Sequence, residues 1–562
     1  MPPSVAKPQE KSVFHFTKQK FPNHTRASIC RTDLATLTRL LFSALAVLLT
    51  YSNQSSAFPP GDAPAPEAPM IAEASDEAKN QIQTFKIPDN FTVDVFAAEP
   101  LVANPVAFFV DYHGNFYVCE SFRQNRGVTD NRQHNRAWVD DDLAAQSVDD
   151  RIRYHKKHLG DKISEYTRYD DQIRLIRDSN GDGQADSAKV FANQFNQIED
   201  GTAAGILARN GNVYLTCIPH LWLLRDNDGN NQAEQRESLH NGYGVRVAFR
   251  GHDSHGLILG PDNRLYFSIG DRGYNIKTDG KHFKNPQSGA VFRCDLDGSN
   301  LEVFATGLRN PQELAFDQFG NLFTGDNNSD SGDRARWVYV VEGGDTGWRM
   351  EYQYLSDRGP FNREKIWHPY NEDTPAYIIP PIRNFADGPS GLVFYPGTGL
   401  GAEFDNRFLL CDFRGGPGNS GIRSFKLEPH GASYKMVDDQ QPFWKILATD
   451  LAFGADGTLY VSDWVNGWNG LGKGRIYSFT TTNEQALTEG EDTKRFLTSD
   501  LSEMSDENLV KFLSHKDQRV RQESHLELAG RNSLRHLIHV TAESDHQLAR
   551  IHGMWGLLVI AR

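Results

Sequence analysis

His252 and Asp271 stand nineteen residues apart in GHDSHGLILGPDNRLYFSIGDRGYN, and Arg309, Asn310, Pro311 and Gln312 follow as a tetrad in TGLRNPQELAFDQFGNLFTGDNNSD. A neutral imidazole takes a proton from an alcohol when a partner orients it, and a guanidinium suits an anionic group or a developing oxyanion. Together they point to oxidation chemistry on a hydroxyl group. His255 lies three residues after His252. On an extended segment it faces the opposite side and is structural; were both rings in one channel, they would form a metal-ligand pair instead.

Positioning these groups falls to a repeat. Turn, apolar strand, aromatic residue and often a terminal acid recur six times: HGNFYVCE (113–120), NGNVYLTC (210–217), DNRLYFSIGD (262–271), FGNLFTGD (319–326), DNRFLLCD (405–412) and DGTLYVSD (456–463). Several neighbours are spaced like four-stranded propeller blades, roughly fifty residues each. The expected fold class is all-β, a six-bladed β-propeller with a short α-helical HEAT-like C-terminal segment. FTVDVFAAE should close the ring beside GRIYSFT, and the charged stretch from about 124 to 168 should be an insertion on one face. If the repeats line the axis, Glu120, Asp271, Asp326, Asp412 and Asp463 gather around it, and such a ring of carboxylates calls for a cation.

The 562 residues carry a net charge of -14, which gives no general pull toward nucleic acid. The apolar run Leu40–Tyr51 follows seven basic residues and precedes Ser55-Ser56-Ala57, which reads as a secretory signal peptide and a periplasmic or secreted protein with no transmembrane span after cleavage; the other reading is an uncleaved anchor. The expected organisation is a signal peptide at 1–57, a Pro/Ala-rich linker at 58–83, the propeller at 84–482, a hinge at 483–505 and incomplete HEAT-like helical repeats at 506–562. That last segment leaves Trp555, Leu557, Leu558 and Ile560 without a following repeat, so the chain is a fragment or this face docks on the propeller or a partner. Cys119, Cys217, Cys294 and Cys411 have no C-x-x-C spacing and read as buried thiols, with one disulfide as the alternative. DSNGDGQAD (178–186) and DNDGNNQAE (226–234) align position for position; Asp178, Asn180, Asp182 and Asp186 resemble a surface calcium loop, and the second copy should bind more weakly or be a polar turn.

The stretch from His252 to Trp348 resembles the soluble quinoprotein glucose/sorbosone dehydrogenases. It shares His252 with its following GPD, Ile269-Gly270-Asp271-x-Gly273, Arg309-Asn310-Pro311-Gln312 and Gly343-Gly344-Asp345-Thr346-Gly347-Trp348. The resemblance implies pyrroloquinoline quinone (PQQ) and Ca2+ as cofactors, with His252 as the base, Asp271 as its orienter and Arg309 on the quinone. It further implies that Asn310, Gln312, Arg272, Arg414 and Thr202 contact the cofactor, and that calcium is held within Asp326, Asn327, Asn328, Asp330 and Asp333. Two late arginines of the family lack counterparts around 444–454. The order of propeller then helical repeats is similar to a bacterial family of putative membrane-bound dehydrogenases in which a cytochrome c domain commonly follows. No C-x-x-C-H occurs here, so an external electron acceptor such as a separate cytochrome is expected. The functional expectation is a dehydrogenase for a sugar or other polyol. A non-catalytic carbohydrate- or protein-binding propeller and a metal-dependent lactonase or hydrolase on the same scaffold are the alternatives.

Overall fold

The computed structural model describes residues 63–562 apart from 370, 372, 373 and 466. The expected signal peptide lies outside the described residues. Six sheets, each with four antiparallel strands, form the blades, and their first strands neighbour one another in a closed ring. Those strands are Pro105–Val110, Gly205–Arg209, Ser254–Leu259, Pro311–Phe316, Pro389–Phe394 and Ala448–Phe453. Phe91–Ala98 pairs with Arg475–Thr481 in the last blade, so the N-terminal strand closes the ring as the sequence suggested.

The six repeated segments do not line the axis but form the second strand of each blade, one step out from it. Their aromatic residues are conspicuous because both faces of these strands are covered by neighbouring blades; Phe323, for example, stacks on Trp337 and meets Phe408 edge-on. Each such ring contributes about 1.5–3 kcal/mol on burial. The axial strands are quieter in sequence because the backbones crowd there. A Cβ on Gly256 would sit 2.7 Å from the Gln312 carbonyl oxygen, and one on Gly391 2.5 Å from Asp450 Cα.

Insertions at the end of the second strand build one face of the ring. Blade one inserts the helices Val139–Ala144 and Val148–Leu159 between its second and third strands, inside the stretch expected to be an insertion. Blade three inserts the hairpin Tyr274–Thr278 and Lys281–Asn285. The segment after Arg336–Val340 lends Gly344–Asp345 to blade three as a fifth strand before continuing to Trp348 and Gln353.

The opposite face carries the helical segment. Where a hinge was expected, Glu484–Leu497 is a helix, capped by the Asn483 side chain on the Gln485 and Ala486 N–H groups. Its buried Ala486, Gly490, Thr493 and Phe496 recur at helical spacing, a period that the surrounding polar residues obscure. Helix Glu77–Ile82 likewise falls inside the expected linker. The helices Asp506–Phe512, Gln518–Gly530, Leu534–Glu543 and Gln547–Ala561 follow. Gln518 donates to the Asp317 carbonyl, Arg519 to that of Gly454 and Gln522 to that of Leu259, so the segment sits on turns of several blades. Trp555 covers Gly320, Leu557 and Ile560 pack into the helical core, and Leu558 stays 40% exposed. Cys119, Cys217, Cys294 and Cys411 are all free and buried.

Candidate active site

The ends of two strands in blade three carry the dyad. His252 precedes the axial strand and Asp271 follows the second, and the Asp271 N–H donates to the Arg309 carbonyl at 2.7 Å. Gly270 permits the approach, since a Cβ there would lie 2.7 Å from the His252 carbonyl oxygen. The His252 Nδ1 is 2.7 Å from Asp271 Oδ1, and Trp348 Nε1–H donates to Asp271 Oδ2 at 2.8 Å. Burial pushes the Asp271 carboxyl up, but His252, Arg309 and the Trp348 hydrogen bond outweigh it and hold the group below the usual carboxylate range. An ionised Asp271 keeps the proton on Nδ1 and leaves Nε2 as the acceptor. His252 is only 4% exposed.

Arg309 is buried beside this pair, 5.6 Å from the Trp348 ring and 5.9 Å from Phe249. Its Nε–H donates to Gln353 Oε1 and its Nη2 to Asp330 Oδ2, each at 3.0 Å. Arg132 lies 4.1 Å over the Phe249 ring, which is also 5.8 Å from His252, and reaches the same Asp330 oxygen at 3.3 Å. Arg250 stacks 4.7 Å over Trp468 and bonds Asn125. Sequence reasoning missed Phe249, Arg132, Arg250 and Trp468, and quoted Trp348 without giving it a role. The available signal was VRVAFRGHD, an aromatic-basic pair directly before His252. The insertion is pinned over this segment by buried Asp142, which accepts from the Val247 and Ala248 N–H groups, Tyr154 and Asn131.

Several predicted contacts are not brought together. Arg272 turns into the protein, 3.5 Å from Asp253, and Arg414 is paired with Asp412 at 2.9 Å. Thr202 is buried, with Gln124 Nε2 at 3.5 Å. Gln312 contributes its backbone carbonyl to Ser268, while Asn310 donates its N–H to Asp326 and keeps its buried Oδ1 without a hydrogen-bond partner. The His255 nitrogens lie 3.3 and 3.2 Å from the Ala204 and Gly251 carbonyl oxygens, which makes this ring structural and removes the two-histidine metal alternative.

Three of the acids ending the repeats already have arginine partners. Asp326 accepts from the Arg309 and Asn310 N–H groups and pairs with Arg336 at 2.7 Å. Glu120 accepts from Ala103 N–H and pairs with Arg174, and Asp412 accepts from Asp387 N–H and pairs with Arg423. Each of these three clasps ties the second strand to the third and to the chain entering the axial strand. Asp463 instead accepts the Val465 N–H, and Arg475 opposite it pairs with Glu77 and Glu99. Within the loop expected to hold calcium, Asn327 gives its carbonyl to Arg336, Asn328 bonds Asp387, Asp330 faces Arg309 and Arg132, and Asp333 caps Ser329. With its carboxylates claimed by arginines and N–H groups, this loop does not fit a calcium ion. The two outer loops adopt matching turns, Asp178 and Asp226 each accepting three N–H groups. Among the described residues it is Asp226, Asp228 and Glu234 of the second copy, rather than Asp178, Asn180, Asp182 and Asp186, whose ligand atoms lie within 4.8 Å of one another.

A planar polyanion is a different matter. Arg309, Arg132 and Arg250, with the rings of Phe249, Trp348 and Trp468 beside them, form a donor set suited to PQQ, in place of Arg272 and Arg414, and Asn310 Oδ1 is left as an acceptor.

Over 135 residues the chain is 30% identical to quinoprotein glucose dehydrogenase B of Acinetobacter calcoaceticus, covering 19% of this chain and 28% of that protein. The chain therefore spans little more than a quarter of that curated relative. Among solved structures it is similar to a PQQ-bound aldose sugar dehydrogenase from Streptomyces coelicolor (15% identity, 70% of this chain and 99% of that one, TM-score 0.40). The pyranose dehydrogenase PQQ domain from Coprinopsis cinerea is another (13% identity, 71% and 97%, TM-score 0.41). Nearly all of the ring, with the dyad and the arginines around it, lies within residues 77–468, which match the model for a domain of unknown function (DUF7133), and the chain belongs to that family.

Proposed function

We propose that this propeller oxidises a hydroxyl group of a sugar or other polyol, using a quinone of the PQQ type and passing electrons to an external acceptor. The observation that carries this reading is the His252–Asp271 pair, whose outer carboxylate oxygen is fixed by Trp348. A protein that only binds has no use for a base oriented from both sides. The partial likeness to a quinoprotein glucose dehydrogenase supports the same chemistry.

Arg309, Arg132, Arg250 and Asn310 would hold the quinone, which when bound supplies the hydride acceptor. His252 Nε2 takes the hydroxyl proton, Asp271 stabilises the imidazolium that results, and the positive charge of Arg309 favours negative charge developing on the bound group. Phe249 and the insertion restrict water around the ring. The apolar run at 40–51 supports export to the periplasm or beyond, and among the described residues no helix is long and apolar enough to cross a membrane.

A second reading, a propeller that binds carbohydrate without turning it over, draws on the ion pair between Arg309 and Asp330. Lactone hydrolysis with a metal is the weaker alternative, because the carboxylates near the dyad are clasped. Calorimetry of PQQ with the purified full chain, with and without calcium, followed by dye reduction against a sugar panel, separates them. PQQ uptake and sugar-dependent reduction support the proposal. Sugar binding without PQQ uptake selects the binding propeller, and metal-dependent lactone hydrolysis selects the third reading.

A further inference from the structure

A cavity of about 860 Å³ lies between the face of the ring opposite the dyad and the helical segment. All six axial strands contribute to its wall, with Phe109, Leu207, Leu257, Leu392 and Leu451 among the apolar side chains, and helix Gln518–Gly530 closes it with Leu526 and Glu523. Its volume is within the range of about 300–1,000 Å³ typical of small-molecule sites.

Two acids on this wall stand apart from every other charge. Glu313 belongs to the axial strand of blade four and Asp450 to that of blade six. Between them blade five presents Gly391, where a Cβ would meet Asp450 Oδ1 at 2.7 Å, so no side chain screens one acid from the other. Asp450 accepts the Phe108 and Leu451 N–H groups, and Glu313 is met by the Gly256 N–H. Neither has an arginine or lysine partner. The guanidinium groups at the cavity are committed elsewhere, Arg209 to Glu523 at 2.7 Å and Arg519 to Asp517 at 2.9 Å. Burial, and for Glu313 its neighbour Asp450, pushes both carboxyls up, Asp450 to about 7.

We propose that this basal cavity is a second ligand site, for an organic cation whose protonated amine is received by Glu313 and Asp450 and whose apolar body lies along the strand walls. Anions find no uncommitted cation there. A calcium ion wants six to eight oxygens, and among the described residues no third His, Cys, Asp or Glu joins this pair at metal-ligand spacing. A neutral apolar guest would bring no hydrogen-bond donor to the two carboxyls. The site is independent of the proposed dehydrogenase chemistry.

The test is calorimetry on the full chain with 2-phenylethylamine, its neutral counterpart 2-phenylethanol, and calcium chloride. The expected result is saturable one-to-one binding of the amine alone, weakened at least about tenfold, equivalent to 1.4 kcal/mol, in Glu313→Gln. Equal binding of the alcohol, binding of calcium at this pair, no saturable amine binding, or unchanged affinity in folded Glu313→Gln overturns the proposal. Asp450→Asn, which keeps the shape of the other acid, provides the second variant should Glu313→Gln not fold. It should weaken amine binding at least about tenfold as well, and unchanged affinity would contradict the assigned location.

Discussion

Arg336→Ala separates an internal clasp from a metal site. The variant removes the Nε–H and Nη2–H donors at 3.2 and 2.7 Å from Asp326 Oδ2, in a place where the carboxylate is fully buried. Breaking a buried ion pair costs about 3–5 kcal/mol because the surviving charge is stranded. Asp326 keeps the Arg309 and Asn310 N–H bonds, which places the loss near the low end, about 3 kcal/mol. At about 2 °C per kcal/mol for a domain of this size, Tm should fall by about 6 °C. Differential scanning calorimetry at neutral pH, with EDTA and with excess calcium, measures this. The reasoning fails if Arg336→Ala melts with the parent, or if calcium raises the parent Tm and Asp326→Asn abolishes that rise. The first outcome would show that the clasp contributes little, and the second would restore Asp326 as a metal ligand.

Three further predictions follow from buried groups. Asp271→Asn keeps the shape of the dyad but releases the His252 tautomer, so kcat/KM for the alcohol substrate should drop by about 10²–10⁴-fold with little change in Tm; an unaffected rate would remove Asp271 from the mechanism. Burial, opposed by Arg123, pushes the Asp200 carboxyl up to about 7, so its contribution is complete below the ordinary aspartate range and is lost as pH rises through 7. Asp200→Asn should therefore stabilise the protein at pH 8 by about 4 kcal/mol relative to the parent and show no such gain at acid pH, as read from denaturant melts at both values. His525 faces His552 at 2.9 Å and the Pro261 carbonyl at 2.8 Å, and burial pushes its ring down to about 4. That stability is present above the ordinary histidine range and is lost as pH falls toward 4, about 3 kcal/mol in all. The helical segment should loosen from the ring over that interval in hydrogen exchange, and His525→Gln should flatten the dependence.

The ring was legible in the sequence because its second strands carry aromatic residues that neighbouring blades must cover, as Phe116, Phe267 and Phe323 do. Their radial position was not legible, since the axial strands replace that signal with glycine and small residues where backbones meet. The dyad was readable from residue type and spacing, and His252 and Asp271 do meet. The arginines around it were harder. Arg272 follows Asp271 directly, so on an extended backbone it faces the other way, toward Asp253. Arg132 comes from an insertion far away in the chain, tied down through Asp130, Asn131 and Asp142. The acids at strand ends misled because a carboxylate bound to a third-strand arginine and one bound to calcium look alike in one dimension. The helix at Glu484–Leu497 was hidden by its many exposed charges, although Asn483 is a cap and Ala486, Gly490, Thr493 and Phe496 share a face.

His252 is proposed to take the proton from a substrate hydroxyl at the face of the ring that carries the insertions. The most direct measurement is PQQ-loaded dye reduction with a sugar or polyol substrate by the parent and by His252→Ala, alongside PQQ calorimetry on both. The account predicts comparable quinone binding and a loss of about 10²–10⁴-fold in turnover for the variant. Turnover by His252→Ala equal to that of the parent would contradict it.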